Sequence, residues 1–183
     1  MKATASLFLG ALLVGCSQNG LKTMDADTYW ALPAVGATLE LHKPLSVPAG
    51  HTRVFLQRGE VVSKQRFDRY APSCNFEVRT LSEQSREIKP EPFLITRVQR
   101  ETAEVVQQQY FPVILAGLNL AGMDDGLPMI VRSVHLWIST DLQPDVMRVT
   151  CRGAFDDLPD ADPPSIEQMR QALGGYASLQ LPE

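Results

Sequence analysis

The chain has 183 residues, of which 17 are Lys or Arg and 21 are Asp or Glu, so its formal net charge is −4. An acidic chain of this kind lacks the basic surface that nucleic-acid binding requires, and we expect no nucleic-acid partner. The length suits a single domain with a hydrophobic core. Thirteen prolines spread along the chain argue against long helices.

The N-terminal residues carry one positive charge, Lys2, followed by a mostly apolar stretch from Ala3 to Val14. About 20 apolar residues are needed to span a bilayer, so this shorter stretch is typical of a secretory signal. The four residues Leu13-Val14-Gly15-Cys16 resemble the lipobox of bacterial lipoproteins, in which an apolar residue and two small or modest residues precede an obligatory cysteine. An ordinary signal peptide and a buried helix with a small apolar cysteine are the alternatives.

The resemblance to lipoproteins implies that Cys16 is a membrane anchor. It implies cleavage between Gly15 and Cys16, a diacylglyceryl group on the sulfur and acylation of the new amine. Each buried methylene contributes about 0.8 kcal/mol, so two or three acyl chains would hold the protein almost permanently on a membrane. Ser17 follows the cysteine, where aspartate favours inner-membrane retention in Gram-negative lipoproteins. The resemblance therefore implies a lipid anchor in the outer membrane, on its periplasmic face.

We expect three segments: a signal peptide at 1–15, a tether at 16–35 and a single β-rich periplasmic domain at 36–183. The tether is polar apart from Tyr29 and Trp30 and has no sustained periodicity. The domain opens with an alternating strand pattern whose apolar side chains are Leu39, Leu41, Leu45 and Val47.

Strands are predicted next at 51–59 and 60–67. In this stretch the basic residues outnumber the acidic residues Glu60 and Asp68. The basic residues are Arg53, Arg58, Lys64, Arg66 and Arg69. They form either the solvated faces of ordinary strands or a patch that binds an anionic envelope polymer or an acidic partner.

Two further cysteines, Cys74 and Cys151, lie in alternating strands on the apolar parity of each strand. Cys74 shares its face with Phe76, and Cys151 shares its face with Met147 and Val149. Export would place both thiols in an oxidising compartment, and both should point into the same core. We therefore predict a disulfide between them, with two buried free thiols as the alternative.

Strand patterns also occur at 93–106 and 128–140, and between them lies an ambiguous apolar run at 110–126. This run contains Gly117 and Gly122 and fits a buried strand, a loop or one helical turn. His135, in the second pattern, alternates with the inward residues and is predicted to be a surface or edge histidine.

No catalytic or metal-binding signature is present, whether G-x-S-x-G, H-E-x-x-H, a phosphate-binding loop or C-x-x-C. A dispersed Ser, His and Asp set would leave no such signature. The three histidines are far apart, which argues against zinc. An acidic cluster precedes the C-terminal helix and is predicted to be a solvated linker, with a calcium site as the alternative. Its members are Asp156, Asp157, Asp160 and Asp162. We expect no catalytic residues, no metal and no cofactor.

One helix is predicted near the C-terminus, with Ser165 as its N-cap, Gln168 completing a capping box and Gly174 as its stop. Its apolar face consists of Ile166, Met169 and Leu173. The whole pattern predicts a mainly β domain, an antiparallel β-sandwich or small barrel with one C-terminal α-helix.

These features predict a non-enzymatic, lipid-anchored component of an envelope assembly that acts through an envelope protein partner. The main alternative is a periplasmic domain that binds a small molecule or glycan near Tyr110, Phe111 or Trp137. A hydrolase comes third, because it would need a nucleophile and a base within hydrogen-bond reach.

Overall fold

The computed structural model describes residues 32–106 and 129–181. The lipobox with Cys16, the tether up to residue 31 and the apolar run at 110–126 lie outside the described residues. No helix in the two described ranges is long and apolar enough to cross a membrane.

The described ranges contain eleven strands and one helix. In chain order they are β1 (Thr38–Leu41), β2 (Leu45–Val47), β3 (Arg53–Gln57), β4 (Glu60–Val62), β5 (Ser73–Val78), β6 (Arg86–Ile88), β7 (Pro92–Val106), β8 (Met129–Ser139), β9 (Val146–Arg152), β10 (Asp156–Asp157), α1 (Ile166–Leu173) and β11 (Ala177–Gln180). The main sheet has the order β11-β1-β7-β8-β9-β5-β3-β4 with β10 on β8, while β2 pairs with β6 separately.

The main sheet is antiparallel and strongly curled, so that it forms a half-barrel. The prediction of a mainly β, antiparallel domain with one helix near the C-terminus is confirmed. Alternation along each strand sends one set of side chains inward, and Phe76, Phe93 and Leu136 are fully buried there.

Helix α1 packs on the apolar side of the sheet. It contacts β3, β5 and β11, which come from both ends of the strand order, so it lies inside the curl of the half-barrel. The predicted capping box is present, because Gln168 N donates to Ser165 Oγ at 3.2 Å and Ser165 N donates to Gln168 Oε1 at 2.9 Å. Met169 and Leu173 are fully buried, as their spacing predicted.

The strand predicted at 60–67 is wrong in its second half, since β4 ends at Val62. Residues 63–72, which we call the cover loop, instead fold over β3 and β5. Gln57 holds this loop, because its buried side-chain amide donates to the carbonyl oxygens of Asp68 at 2.8 Å and Ala71 at 3.0 Å. The amide oxygen accepts from Asp68 N at 3.0 Å, so the side chain replaces a strand partner.

Met147 is also misplaced by the alternation rule. A register shift between Glu77 and Val78 pairs Val78 with Val146, and Val146 is the residue that is buried. Met147 is only half-buried. The irregularity in pairing changes which side chain faces the core, and a strand pattern read from one sequence does not contain that information.

Candidate functional site

The face of the sheet opposite the apolar core is polar, yet over β3, β5, β8 and β9 it is largely buried. We call it the polar face. Its buried polar side chains are Gln57, Ser73, Asn75, Glu77, Ser133, His135 and Thr150. An antiparallel sheet with one face on the core commonly leaves the other face to water. Here the covered polar face needs internal hydrogen bonds or a ligand to satisfy its polar groups.

A row of charged and aromatic side chains crosses five strands on the polar face. Arg97, Trp137, Arg148, Glu77 and Arg53 are successive cross-strand partners. The guanidinium carbons of Arg97 and Arg148 lie 4.2 and 5.1 Å from the centroid of the Trp137 ring, within cation–π range. The row contains three arginines and one carboxylate, so its net charge is positive.

Glu77 is the carboxylate that joins the arginines of this row. Its Oε1 accepts from Arg53 Nη2 at 2.8 Å, and its Oε2 accepts from Arg148 Nε at 2.6 Å. Burial by itself would raise the pKa of Glu77, but the hydrogen bonds and charges of Arg148 and Arg53 outweigh it. The pKa therefore lies below its ordinary value of 4.5.

Arg152 lies on the same face at the end of β9, with Ser73 and Ser133 as cross-strand partners. Its Nε is buried and has no hydrogen-bond partner in the described part of the chain. Burial and the charge of Arg53 lower the pKa of Arg152, whereas Glu101 and Glu77 raise it. An arginine stays charged under such shifts, so Arg152 presents a cation with an unsatisfied donor.

An open cleft of about 840 Å³ lies between the polar face and the cover loop. We call it the cationic cleft, because its described lining includes Arg53 and Arg152 from the sheet and Lys64 and Arg69 from the cover loop. No Asp or Glu belongs to this described lining. The volume falls in the range of small-molecule sites, about 300 to 1,000 Å³.

Three phenylalanines form the aromatic part of the cationic cleft: Phe55 from β3, Phe67 from the cover loop and Phe155 from the segment after β9. Leu81 and Val105 add further apolar lining. The rings of Phe55 and Phe67 lie edge to face, with centroids 5.4 Å apart. Phe155 N donates to the carbonyl oxygen of Arg69 at 3.0 Å, which ties this segment to the cover loop. Cations and aromatic rings therefore face the same space.

The basic stretch predicted as a possible patch is divided by the fold. Arg53, Lys64 and Arg69 line the cationic cleft, whereas Arg58 forms an ion pair with Asp68 at 2.8 Å and Arg66 lies exposed outside the cleft. Sequence reasoning missed Arg152. The alternation of the strand around Cys151 showed that Arg152 points outward. It did not show which strand lies next to Arg152, so the approach of Arg152 to Arg53 could not be predicted.

His135 is buried, so the prediction of a surface or edge histidine is wrong. Its ring nitrogens lie 2.8 Å from Thr150 Oγ1 and 2.6 Å from Glu101 Oε2. The parity was correct, since His135 does face away from the apolar core. Facing away from the apolar core did not make His135 exposed, because the polar face is itself covered.

The cysteine pair lies directly beneath the cationic cleft. Cys74 and Cys151 are opposite each other on β5 and β9, both buried on the core side, with their sulfurs 2.01 Å apart. This is the spatial arrangement that a disulfide requires. It ties together the two strands that carry Glu77 and Arg152 on the polar face.

The other predicted site residues do not form a site. Cys16, Tyr110 and Phe111 lie outside the described residues, and Trp137 belongs to the charged row. The four aspartates, Asp156, Asp157, Asp160 and Asp162, are exposed. Within 32–106 and 129–181, no group of three or more His, Cys, Asp or Glu side chains is placed to hold a metal ion.

Comparisons with protein-family models, with curated proteins and with solved structures found no match for this chain. The chemistry of the cationic cleft indicates what the described residues can bind. Guanidinium and ammonium groups recognise anions through charge and hydrogen bonds, and aromatic rings contact apolar surface.

Proposed function

We propose that the protein is a non-enzymatic, lipid-anchored envelope protein whose folded domain binds an anionic ligand in the cationic cleft. The observation that supports this proposal is the convergence of Arg53, Lys64, Arg69 and Arg152 on one cleft whose described lining contains no acidic residue. It favours the binding-domain alternative over a protein that acts only as a scaffold.

In the part of the chain that the structure describes, three of the four cations of the cationic cleft have no direct ion pair, although the charges of Glu101 and Glu77 act on Arg152. Within the described residues, Lys64, Arg69 and Arg152 have no ion pair, and Arg53 shares Glu77 with Arg148. Like charges close together in a partly buried site repel each other, and a bound anion would relieve that repulsion and satisfy the donors.

The anchoring part of the proposal comes from the lipobox resemblance. Acyl chains on Cys16 would hold the domain at the periplasmic face of the outer membrane of a Gram-negative bacterium. An accessory role in an envelope assembly, with an envelope protein as partner, stays a prediction.

Calorimetric titration tests the binding function. We would titrate naphthalene-2-sulfonate and methanesulfonate into the full lipidated chain in zwitterionic nanodiscs, with empty nanodiscs as the blank. At least one anion should bind, and Arg69→Gln should weaken its binding by about tenfold, the effect of losing one charge-assisted hydrogen bond. Arg66→Gln is the matched control, because Arg66 is a cation of the same loop outside the cleft.

The proposal is wrong if neither anion binds. It is equally wrong if Arg66→Gln weakens binding as much as Arg69→Gln does, because the attraction would then be a property of the loop's overall charge. Raising the salt concentration should weaken binding of the wild-type chain, since screening acts on exposed cations such as Arg69.

A further inference from the structure

We infer that the ligand of the cationic cleft is an amphipathic anion: a small anionic group held between Arg53 and Arg152, joined to an apolar body that lies against Phe55, Phe67 and Phe155. The anionic group is a carboxylate, sulfonate or phosphate, and the body is flat or chain-like. This inference rests on the proposed anion-binding function and adds the second half of the ligand.

The geometry of the two sheet arginines identifies the position of the anionic group. Arg53 donates from Nε at 3.0 Å and from Nη2 at 2.8 Å to the same oxygen of Glu77. Those two bonds orient its guanidinium group and leave Nη1 without a partner among the described residues. Arg152 contributes a second guanidinium group to the lining of the same cleft, while its Nε is buried. Two guanidinium groups on one cleft match the several acceptor oxygens of one anionic group.

The Arg53 side of this site is preorganised. Glu77 is buried and holds Arg53 and Arg148 in the row, so the cost of ordering Arg53 is already met in the folded chain. Preorganisation raises affinity by reducing what must be immobilised on binding. Lys64 and Arg69 are exposed on the cover loop, at the outer side of the cleft.

The three phenylalanines explain why a simple inorganic anion does not fit the whole site. Each ring comes from a different segment, each side chain is half-buried, and all three line the same cleft. A small hydrated anion would leave this apolar surface in contact with water. An apolar body joined to the anionic group would cover it, which is favourable in proportion to the apolar area removed from water.

Three matched probes separate charge from apolar contact: naphthalene-2-sulfonate has both, methanesulfonate has the charge alone, and naphthalene-2-sulfonamide has the rings without the charge. Titrated into the full lipidated chain in zwitterionic nanodiscs, naphthalene-2-sulfonate should bind at least about tenfold more tightly than either of the others. Methanesulfonate binding as tightly, within about threefold, would overturn the amphipathic inference while leaving the anion-binding function intact.

Two other outcomes overturn both the inference and the proposed function. If naphthalene-2-sulfonamide binds as tightly as naphthalene-2-sulfonate, the cations contribute nothing to recognition. If neither sulfonate binds, no anion is recognised. The three results are distinguishable from one another within a single set of titrations.

Cleft variants and their matched controls locate the two halves of the ligand. Arg152→Gln should weaken naphthalene-2-sulfonate binding by about tenfold, whereas Arg170→Gln, at an exposed arginine on α1, should not. Phe155→Ala and Phe67→Ala should each weaken it by roughly fivefold, with Leu142→Ala at an exposed leucine outside the cleft as the control.

Each cleft variant is compared with the wild type only if its thermal unfolding is cooperative. Phe67 and Phe155 come from separate segments. If one phenylalanine variant fails to fold, the binding affinity of the other still tests the apolar contact. Wild-type affinity in both phenylalanine variants would place the apolar body elsewhere and overturn the inference.

Discussion

Glu77 connects the two arginines on either side of β5 and decides the electrostatics of the polar face. It is a nearly buried carboxylate, with a side chain that is 8% exposed, and it accepts from a guanidinium on each side. Removing its charge would leave Arg148 and Arg53 close together without a counter-ion. The single residue therefore stabilises the fold and orients one wall of the cationic cleft.

We expect Glu77→Gln to lower the free energy of unfolding at pH 7 by about 2 to 4 kcal/mol, because it breaks a largely buried ion pair. The pKa of Glu77 is lowered by folding, so its contribution is fully present above about pH 4.5 and is lost as the pH falls through the folded-state pKa. Urea unfolding at pH 7 and at pH 3 should therefore show a smaller difference between variant and wild type at the lower pH.

Glu83→Gln is the control, because Glu83 is exposed and has no ion pair in the described residues. It should change stability by less than about 0.5 kcal/mol. A Glu77→Gln penalty of the same size at both pH values would contradict the assigned role, since it would not depend on ionisation of the carboxyl group.

The β3–β4 hairpin and the end of α1 approach each other closely. Arg58 and Gly59 have positive φ angles of 53° and 77°, as a two-residue hairpin turn requires. Gly59 N donates to Ala172 O at 3.2 Å, and a Cβ on Gly174 would lie 2.3 Å from Gly59 Cα. The helix therefore docks on the hairpin through backbone contact.

We expect Gly174→Ala to lower the free energy of unfolding by about 3 kcal/mol or more, and Gly50→Ala by only about 1 to 2 kcal/mol. Both glycines have positive φ, so both variants incur backbone strain, but a Cβ on Gly50 would meet nothing within 4 Å. Chemical denaturation of the two variants measures the difference. Equal losses of unfolding free energy in the two variants would show that the close approach of Gly174 to Gly59 leaves room for a Cβ atom.

The described part of the molecule is a curled sheet with an apolar inside, on which α1 packs, and a polar outside covered in part by the cover loop. The cysteine pair lies at the centre of this arrangement, since β5 and β9 are interior strands of the sheet order. A covalent link there would restrict the unfolded chain and support the strands beneath the cationic cleft.

We expect a disulfide in the exported protein, and we expect the double variant Cys74→Ala, Cys151→Ala to lose roughly 2 to 5 kcal/mol of unfolding free energy. The two cysteines are 77 positions apart, so the bond would close a long loop. Peptide mass spectrometry without reductant should recover the linked fragment. A reductant should destabilise the wild type and leave the double variant unchanged. Recovery of two free thiols would contradict the prediction.

Local patterns in the sequence were enough for the type of most elements and for several side-chain directions. The capping box of Ser165 and Gln168, the helix stop at Gly174 and the shared inward parity of Cys74 and Cys151 all follow from chemistry within a few residues of each position. These features depend on the period of a strand or helix, and that period is a property of the local backbone.

The folded structure shows which strands are neighbours and which segments cover them. It brought Arg152 to the same cleft as Arg53, buried His135 on a polar face, and replaced half of a predicted strand with the cover loop held by Gln57. Each of these results depends on contacts between residues far apart in the chain, which alternation along a single strand does not encode. Local patterns predicted the polar or apolar character of most strand faces, with Met147 as an exception, and long-range packing determined which of those faces line the cationic cleft.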